Sequence, residues 1–203
     1  MLVSTRQVRK PLWLRLRERR SLWLPVVAVV ISGVGSFCWA SLNNSIVPEG
    51  IIVHHAALPP LYAGRRVDAE LIGEFHRARG LSTFCWGRYY DVGYHYVILP
   101  DGTVQSGRPE HCKGAHAHGY NSSIGICLIG NFSSRHNPNG EHGSTAPTEN
   151  QMRALIHLCN ELATKYQIPA SRVRPHSDIN PGTECPGDGF PIGEFERLLH
   201  GTS

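Results

Sequence analysis

The sequence predicts an α/β fold: a single domain with a central mixed β-sheet flanked by helices, preceded by an N-terminal transmembrane helix. Short runs of β-branched and apolar residues, typical of buried strands, alternate with three segments in which apolar residues recur at helical spacing. One long uncharged apolar stretch lies near the N-terminus. The 203 residues, 41% of them hydrophobic and 18% charged, are sufficient for one well-buried domain plus a short appendage.

The positive charge of the chain is concentrated in its first 20 residues. Residues 1–20 hold seven basic side chains against Glu18, a net charge of +6, whereas the remainder has 13 basic and 15 acidic side chains. A nucleic-acid-binding surface needs its basic side chains on the folded domain. We therefore expect no nucleic-acid partner, and we predict that residues 1–20 form a basic cytoplasmic tail.

Residues 21–42 are predicted to be a transmembrane signal-anchor. Their centre is apolar for about the 20 residues that a helix needs to cross a hydrocarbon core, and the preceding positive charges direct the rest of the chain out of the cytoplasm. Trp39-Ala40-Ser41 is a poor cleavage site, which favours an anchor over a cleaved signal and a secreted domain. Arg19-Arg20 also fits a twin-arginine export signal, although paired arginines are expected in so basic a tail. Residues 43–50 are a short polar linker.

Residues 51–200 form the predicted domain, and β-branched and apolar residues mark its strands. Ile51-Ile52-Val53 begins the first strand, which ends at His54. Pro100-Asp101-Gly102 is a turn that joins the second strand to the third as a hairpin. The predicted strands cover residues 51–54, 94–99, 103–106 and 124–129.

Three helices complete the predicted domain. Asp68 is a suitable N-cap for the first helix, which ends before Gly80. The sequence Thr148-Glu149-Asn150-Gln151 is a capping box that begins the second helix, whose apolar residues form one stripe. Residues 132–147, rich in Ser, Asn, Pro and Gly, are predicted to be a loop. A long irregular stretch after Pro169 leads to the third helix at the C-terminal end.

His54, His176 and Cys185 are candidate metal ligands. Two imidazoles and a thiolate leave one position of a tetrahedral zinc ion free for water or substrate, as in catalytic zinc sites. No regular element fits between His176 and Cys185, and a loop containing proline and glycine can bring both donors to one centre. Successive strand residues point to opposite faces, so only one of His54 and His55 can join them. Asp178 is a candidate carboxylate for orienting a ligand ring.

Five stretches between residues 51 and 199 resemble the type 2 N-acetylmuramoyl-L-alanine amidases, a family that includes the peptidoglycan recognition proteins of animals. The stretches occur in the family's order, and together they are far more specific than any one alone. They read IIVHHA, VGYHYVILPDGTVQSGRP, GAHAHGYNSSIGICLIGNF, PTENQMRALIHLC and RPHSDINPGTECPG. The resemblance implies a zinc amidase domain that hydrolyses the amide bond between N-acetylmuramic acid and L-alanine in peptidoglycan.

The resemblance also implies a role for each candidate residue. The zinc ligands of the family fall on the three candidates named above. Residues that hold the attacking water or stabilise the oxyanion fall on Tyr94 and Thr183. The wall of the substrate groove falls on the segment that contains His116 and Asn121, the predicted substrate contacts. Relatives that only recognise the cell wall typically lack the third ligand, so Cys185 favours hydrolysis.

Two other functions are compatible with the residues alone. The first is a recognition module of the same fold that binds a muropeptide without cutting it. The second is a cysteine hydrolase with Cys185 as nucleophile and His176 as base. For the metal-dependent reaction, proton transfer to the leaving amine can fall on Tyr94, His95 or Glu184.

Two pairs of side chains have open assignments. Cys85 and Cys112 lie in loop-like stretches on the exported side, where an oxidising compartment permits a disulfide without requiring one. Arg108 and Lys113 can meet stem-peptide carboxylates, although a solvated surface charge is the default. The sequence sets neither the oligomeric state nor the stem-peptide preference.

Overall fold

The computed structural model describes residues 44–200, so the predicted tail and membrane span, residues 1–20 and 21–42, lie outside the described residues. Among residues 44–200, no helix combines the length and the hydropathy that crossing a membrane requires. The described residues belong to one compact unit. This agrees with the single domain predicted from residue 51 onward.

Short strands and three helices alternate along the described residues. The strands are β1 (Ile51–His55), β2 (Leu61–Tyr62), β3 (Arg65–Arg66), β4 (Thr83–Cys85), β5 (Arg88–Tyr90), β6 (Tyr96–Ile98), β7 (Val104–Ser106), β8 (Ile124–Leu128) and β9 (Val173–Pro175). The helices are α1 (Ala69–Ala78), α2 (Glu149–Tyr166) and α3 (Ile192–His200). Two 3-10 helices, Ala170–Arg172 and His176–Asp178, flank β9.

The central sheet has five strands in the order β7-β6-β8-β1-β9. β1 pairs in parallel with β8 on one side and with β9 on the other, while β6 is parallel to β8 and antiparallel to β7. The predicted mixed sheet is therefore confirmed. Because the carboxyl ends of parallel strands meet at one edge, the residues that follow β1, β8 and β9 are brought close together.

Helices cover both faces of the sheet. On one face Ile51 and Val53 share a buried cluster with Leu155 of α2 and Phe195 of α3. On the other face Val97 and its neighbours pack with residues of α1 in a second cluster. β1 and β8 are buried along their whole length, since parallel strands between helical layers have no solvent side.

The predicted caps begin the first two helices. Asp68 accepts a hydrogen bond from a first-turn amide of α1. Thr148 and Gln151 form the reciprocal capping box at the start of α2. The buried amide of Gln151 also donates to the carbonyls of Ile98 and Ile129, at 3.1 and 2.9 Å. The same residue therefore caps α2 and attaches it to the sheet.

Three short elements differ from the prediction. β9 lies within the stretch predicted to be irregular, and β2–β3 and β4–β5 form separate two-stranded hairpins. The β4–β5 hairpin carries Cys85, which forms a disulfide with Cys112 across a sequence separation of 27. These strands have only two or three residues, too few to show a period of two, and unlike β6 and β7 they do not lie within a longer predicted strand or a predicted hairpin.

Arg108 is a core residue and not a candidate for stem-peptide carboxylates. Its side chain is buried, and it donates five hydrogen bonds, to Val92 O, Thr83 Oγ1, Lys113 O, Leu81 O and Tyr90 O. The planar guanidinium thereby joins the β4–β5 hairpin to the loop that follows β7. Lys113 remains exposed, as expected of a surface charge.

Candidate metal centre

The structure brings His54, His176 and Cys185 together. One donor atom of each lies within 4.8 Å of the other two. His54 is near the carboxyl end of β1, and His176 directly follows Pro175, the last residue of the neighbouring parallel strand β9. The backbone N–H of Ser177 donates to the carbonyl of Cys185 at 2.7 Å, which fixes the loop that carries the thiol beside His176.

The spacing of the donors fits a tetrahedral zinc ion. Cys185 Sγ lies 3.6 Å from His54 Nδ1. Ligands bound at about 2.0–2.3 Å to one tetrahedral ion are about 3.3–3.8 Å apart. The thiol also accepts the backbone N–H of His55, which favours the thiolate that binds a metal. His54, His176 and Cys185 are thus a possible metal site with two nitrogen donors and one sulfur donor.

The second nitrogen of His54 is engaged by another histidine. His54 Nε2 lies 3.0 Å from His116 Nδ1, and His116 Nε2 lies 3.0 Å from the carbonyl oxygen of Ser123. Burial lowers the pKa of His116 to about 3, so its ring is neutral. The predicted contact of His116 with substrate stays a prediction, although both of its ring nitrogens already have partners within the domain.

His55 points away from this cluster, as the alternation of strand residues predicts. Its Nδ1 accepts the backbone N–H of Phe132 at 3.0 Å, and its ring packs against the Phe132 ring. Burial lowers the pKa of His55 to about 4. Only His54 of the two neighbouring histidines joins the candidate metal site.

Tyr94 lies beside the ligand rings, just before β6. Its ring centroid is 5.2 Å from that of His54, and its hydroxyl interacts with the buried thiol of Cys127 on β8. Burial is the main cause that raises the pKa of Tyr94 well above its ordinary value. The phenol is therefore protonated at neutral pH and is able to donate a hydrogen bond.

Thr183 and Glu184 line a cavity of about 250 Å³ next to Cys185. Thr183 Oγ1 accepts the backbone N–H of Cys185 at 3.2 Å, which leaves its hydroxyl hydrogen available for a bound group. Glu184 accepts hydrogen bonds from Ser133 and from Arg135, which hold the pKa of its carboxyl below the ordinary value. His55 and Cys185 also line the cavity, whereas His54 and His176 do not, so of the three donors it reaches Cys185 alone.

The contacts of His95 and Asp178 do not support the roles considered for them, which were proton transfer for His95 and orientation of a ligand ring for Asp178. His95 is 1% exposed; its Nε2 donates to the Cys112 carbonyl and its Nδ1 accepts the Gly125 N–H. Neither nitrogen is free to protonate a leaving amine. Asp178 is exposed on the 3-10 helix after β9, and the group that contacts the outer nitrogen of His54 is an imidazole instead of a carboxylate.

Asn121 holds the backbone of the neighbouring segment. Its Oδ1 accepts the N–H groups of His116 and Ala117, at 2.8 and 2.9 Å. Both donors point at one atom, which identifies that atom as the amide oxygen. The substrate contact predicted for Asn121 stays a prediction, and only the NH₂ group of its side chain remains for it.

The environment of Cys185 does not favour a cysteine nucleophile. Burial raises the pKa of its thiol to about 12. Reactive cysteines have a lowered pKa, because the thiolate is the nucleophile. A cation bound beside the two imidazoles would instead favour the thiolate, because a cysteine must lose its proton to bind a metal.

Comparison with known proteins agrees with this geometry. The family model described as N-acetylmuramoyl-L-alanine amidase matches residues 44–188. The endolysin of Enterobacteria phage T3 is 37% identical over 139 residues, which are 68% of this chain and 80% of that protein. The predicted resemblance is therefore confirmed.

Solved structures show the same fold. The N-acetylmuramoyl-L-alanine amidase LysC from Clostridium intestinale URNW superposes with a TM-score of 0.58 at 34% identity, covering 76% of this chain and 87% of LysC. A mutant of Drosophila PGRP-LB in complex with tracheal cytotoxin superposes with a TM-score of 0.53 at 28% identity, covering 73% and 80%. The sequence match and the shared fold together lead to one conclusion: the chain belongs to the N-acetylmuramoyl-L-alanine amidase family.

Proposed function

We propose that the chain hydrolyses the amide bond between N-acetylmuramic acid and L-alanine in peptidoglycan, using a zinc ion held by His54, His176 and Cys185. The observation that carries the proposal is the convergence of these three donors at the ends of two parallel strands. Three protein ligands leave one position for water or substrate, as in catalytic zinc sites. Membership of the amidase family supports the bond that is cut.

Zinc bound in such a site lowers the pKa of its water toward about 7 and polarises the substrate carbonyl. Tyr94 then supplies the hydrogen bond that the reaction needs from the protein. A tyrosine hydroxyl is protonated at neutral pH, and desolvation raises the pKa of Tyr94 further, so it can donate to the carbonyl oxygen as negative charge develops there. The position of Tyr94 beside His54 supports this role.

Thr183 is proposed as the second donor to the same oxygen. It is two residues before the sulfur ligand and lines the 250 Å³ cavity beside it. Proton transfer to the leaving amine falls on Tyr94 or Glu184, because both ring nitrogens of His95 are bonded to the backbone.

We also propose that the domain acts outside the cytoplasm, attached to the membrane through residues 21–42. The support is the apolar composition of that stretch, the basic residues 1–20 before it and the Cys85–Cys112 disulfide. Disulfides persist in oxidising compartments such as the periplasm or the cell surface. Peptidoglycan is then within reach of the domain.

A digest of purified cell wall tests the proposed reaction. The full-length protein should release stem peptides with a free L-alanine N-terminus, identified by mass. A chelator should abolish this release, and added zinc should restore it. Activity that survives the chelator but is lost to a thiol alkylator would instead establish the cysteine hydrolase. Binding to the wall without release would establish the recognition module.

A further inference from the structure

We propose that His116 is a positioning residue that holds His54 in the one tautomer whose Nδ1 lone pair is free to bind a metal. The inference rests on the proposed zinc site, and it assigns a purpose to the stretch GAHAHGYNSSIG, residues 114–125, which we call the His116 segment. Three sets of contacts support it: a directed chain of hydrogen bonds, two glycines that enclose the ring, and an asparagine that holds its backbone.

The hydrogen bonds have only one consistent direction. The carbonyl oxygen of Ser123 can only accept, so His116 Nε2, 3.0 Å away, must carry the hydrogen. In a neutral ring Nδ1 of His116 is then an acceptor, so His54 Nε2, 3.0 Å from it, must carry a hydrogen as well. His54 is thereby left with its lone pair on Nδ1, the atom that faces the sulfur of Cys185 at 3.6 Å.

Two glycines leave room for the His116 ring and for little else. A Cβ atom added at Gly114 or at Gly125 would lie 2.5 Å from Cδ2 of the ring. Real Cβ contacts do not come so close, so the ring would have to move. Gly125 belongs to β8 and Gly114 opens the His116 segment, so two separate stretches of backbone pack against the Cδ2–Nε2 edge of the ring.

Asn121 fixes the same ring from its backbone side. Its Oδ1 accepts the N–H of His116, and its own carbonyl accepts the N–H of Gly114. The segment therefore returns on itself around His116. These contacts give Gly114, His116 and Asn121 a shared structural role, although none of the three is a proposed metal ligand.

Loss of His116 should weaken metal binding without removing a ligand. The other tautomer of His54 carries a hydrogen on Nδ1, which has to be lost or moved before that atom can bind zinc. Partners that orient a ligand histidine in this way are typically worth 10–100-fold in metal affinity. In His116→Asn the side-chain oxygen of asparagine can accept the hydrogen bond in place of His116 Nδ1. This variant should therefore keep most of the zinc affinity that His116→Ala loses.

The first test needs no variant. Nitrogen-15 NMR of histidine-labelled, metal-free full-length protein at pH 7.5 reports which nitrogen of each neutral ring carries the hydrogen. The inference predicts the Nε2–H form for both His54 and His116. An Nδ1–H form of His54 would overturn it, even in a protein that cuts peptidoglycan. A protein with the predicted tautomers that binds no zinc would refute the proposed function alone.

The second test compares zinc dissociation constants by competition with a chelator. His116→Ala should bind zinc 10–100-fold more weakly than the unchanged protein. The zinc affinity of His116→Asn should be close to that of the unchanged protein. His76→Asn is the matched control, because His76 is a buried histidine whose Nδ1 accepts the backbone N–H of Gly93 and whose ring packs against Tyr94 and not against a ligand. It should lower thermal stability and leave zinc affinity unchanged. Equal affinities of folded His116→Ala and the unchanged protein would overturn the inference.

Discussion

Cys185 Sγ and His54 Nδ1 are separated by 131 positions in the sequence and by 3.6 Å in the structure. The parallel pairing of β1 with β9 makes this contact possible, because it places His54 and the loop after His176 at one edge of the sheet. The fold thus assembles a set of candidate metal donors from its first strand and from the segment that follows its last strand.

Zinc binding should require the proposed ligands, whereas folding of the domain should not. His176→Ala removes a half-buried side chain from outside the two hydrophobic clusters, so we expect loss of zinc and of hydrolysis with an unchanged circular dichroism spectrum. His157→Ala is the matched control, since His157 is an exposed histidine of α2. Zinc content by mass spectrometry checks the prediction, and zinc retained at full occupancy in His176→Ala would contradict it.

Tyr94→Phe should slow hydrolysis and leave zinc bound. Loss of one hydrogen-bond donor to a developing oxyanion typically lowers kcat by about 10²–10³-fold, whereas the ring that packs against His54 is retained. Tyr89→Phe, at an exposed position on the β4–β5 hairpin, controls for loss of a phenol. Steady-state kinetics on a defined muropeptide check the prediction. An unchanged kcat in Tyr94→Phe would remove the hydroxyl from the mechanism.

Arg108→Lys should destabilise the domain. Lysine cannot reach the five acceptors that the guanidinium serves, so several buried carbonyls lose their partners. Buried groups left unsatisfied cost about 1–3 kcal/mol each, and we expect a loss of at least about 2 kcal/mol in the free energy of unfolding. Urea denaturation measures it. Arg88→Lys, at an exposed site, should change the free energy of unfolding little. An equal loss in both variants would contradict the role of Arg108 as a buried hydrogen-bond donor.

Acid should destabilise the domain through its buried histidines. Burial lowers the pKa of His95 from 6.5 to about 4, so between these values the unfolded chain binds a proton that the folded chain does not. Stability from this group is complete above pH 6.5 and is lost as the pH falls toward 4, by up to about 3 kcal/mol. Denaturation between pH 4 and 7.5 should show this slope. In His95→Asn the uptake of protons on unfolding should fall by about one near pH 5; an unchanged uptake would contradict the prediction.

Deletion of residues 1–42 should yield a soluble domain that binds zinc and cuts isolated cell wall. The described elements and both hydrophobic clusters lie in residues 44–200, so the deletion leaves in place all the contacts described for the sheet and helices. Membrane fractionation of the full-length and shortened proteins, followed by the wall digest, measures both properties. A shortened protein that is soluble but inactive would show that the N-terminal region does more than attach the domain.

The long elements were predictable because their signals are local. Capping residues at Asp68 and Thr148 begin α1 and α2, and the apolar runs of β1 and β8 mark the centre of the sheet. By contrast β9 consists of Val-Arg-Pro and has no periodic pattern, so the sequence did not show that His176 follows a strand parallel to β1.

Roles that depend on tertiary contacts were not predictable. The sequence gives Arg108 the appearance of a surface charge, and only the packed hairpin shows that it is buried. For His116 the resemblance implies a substrate contact, which stays a prediction, and nothing in the sequence indicates its contacts with His54 and Ser123. Gly114 and Gly125 together make room for the His116 ring. The sequence alone does not show this, because Gly125 meets the ring only once β8 has formed.

X-ray absorption at the zinc edge of the loaded full-length protein tests the metal site most directly. The proposed ligand set predicts one sulfur at about 2.3 Å together with nitrogen or oxygen neighbours at about 2.0–2.1 Å, two of them imidazoles. In Cys185→Ser the sulfur contribution should disappear. A zinc ion with no sulfur neighbour in the unchanged protein, or with several, would contradict coordination by His54, His176 and Cys185.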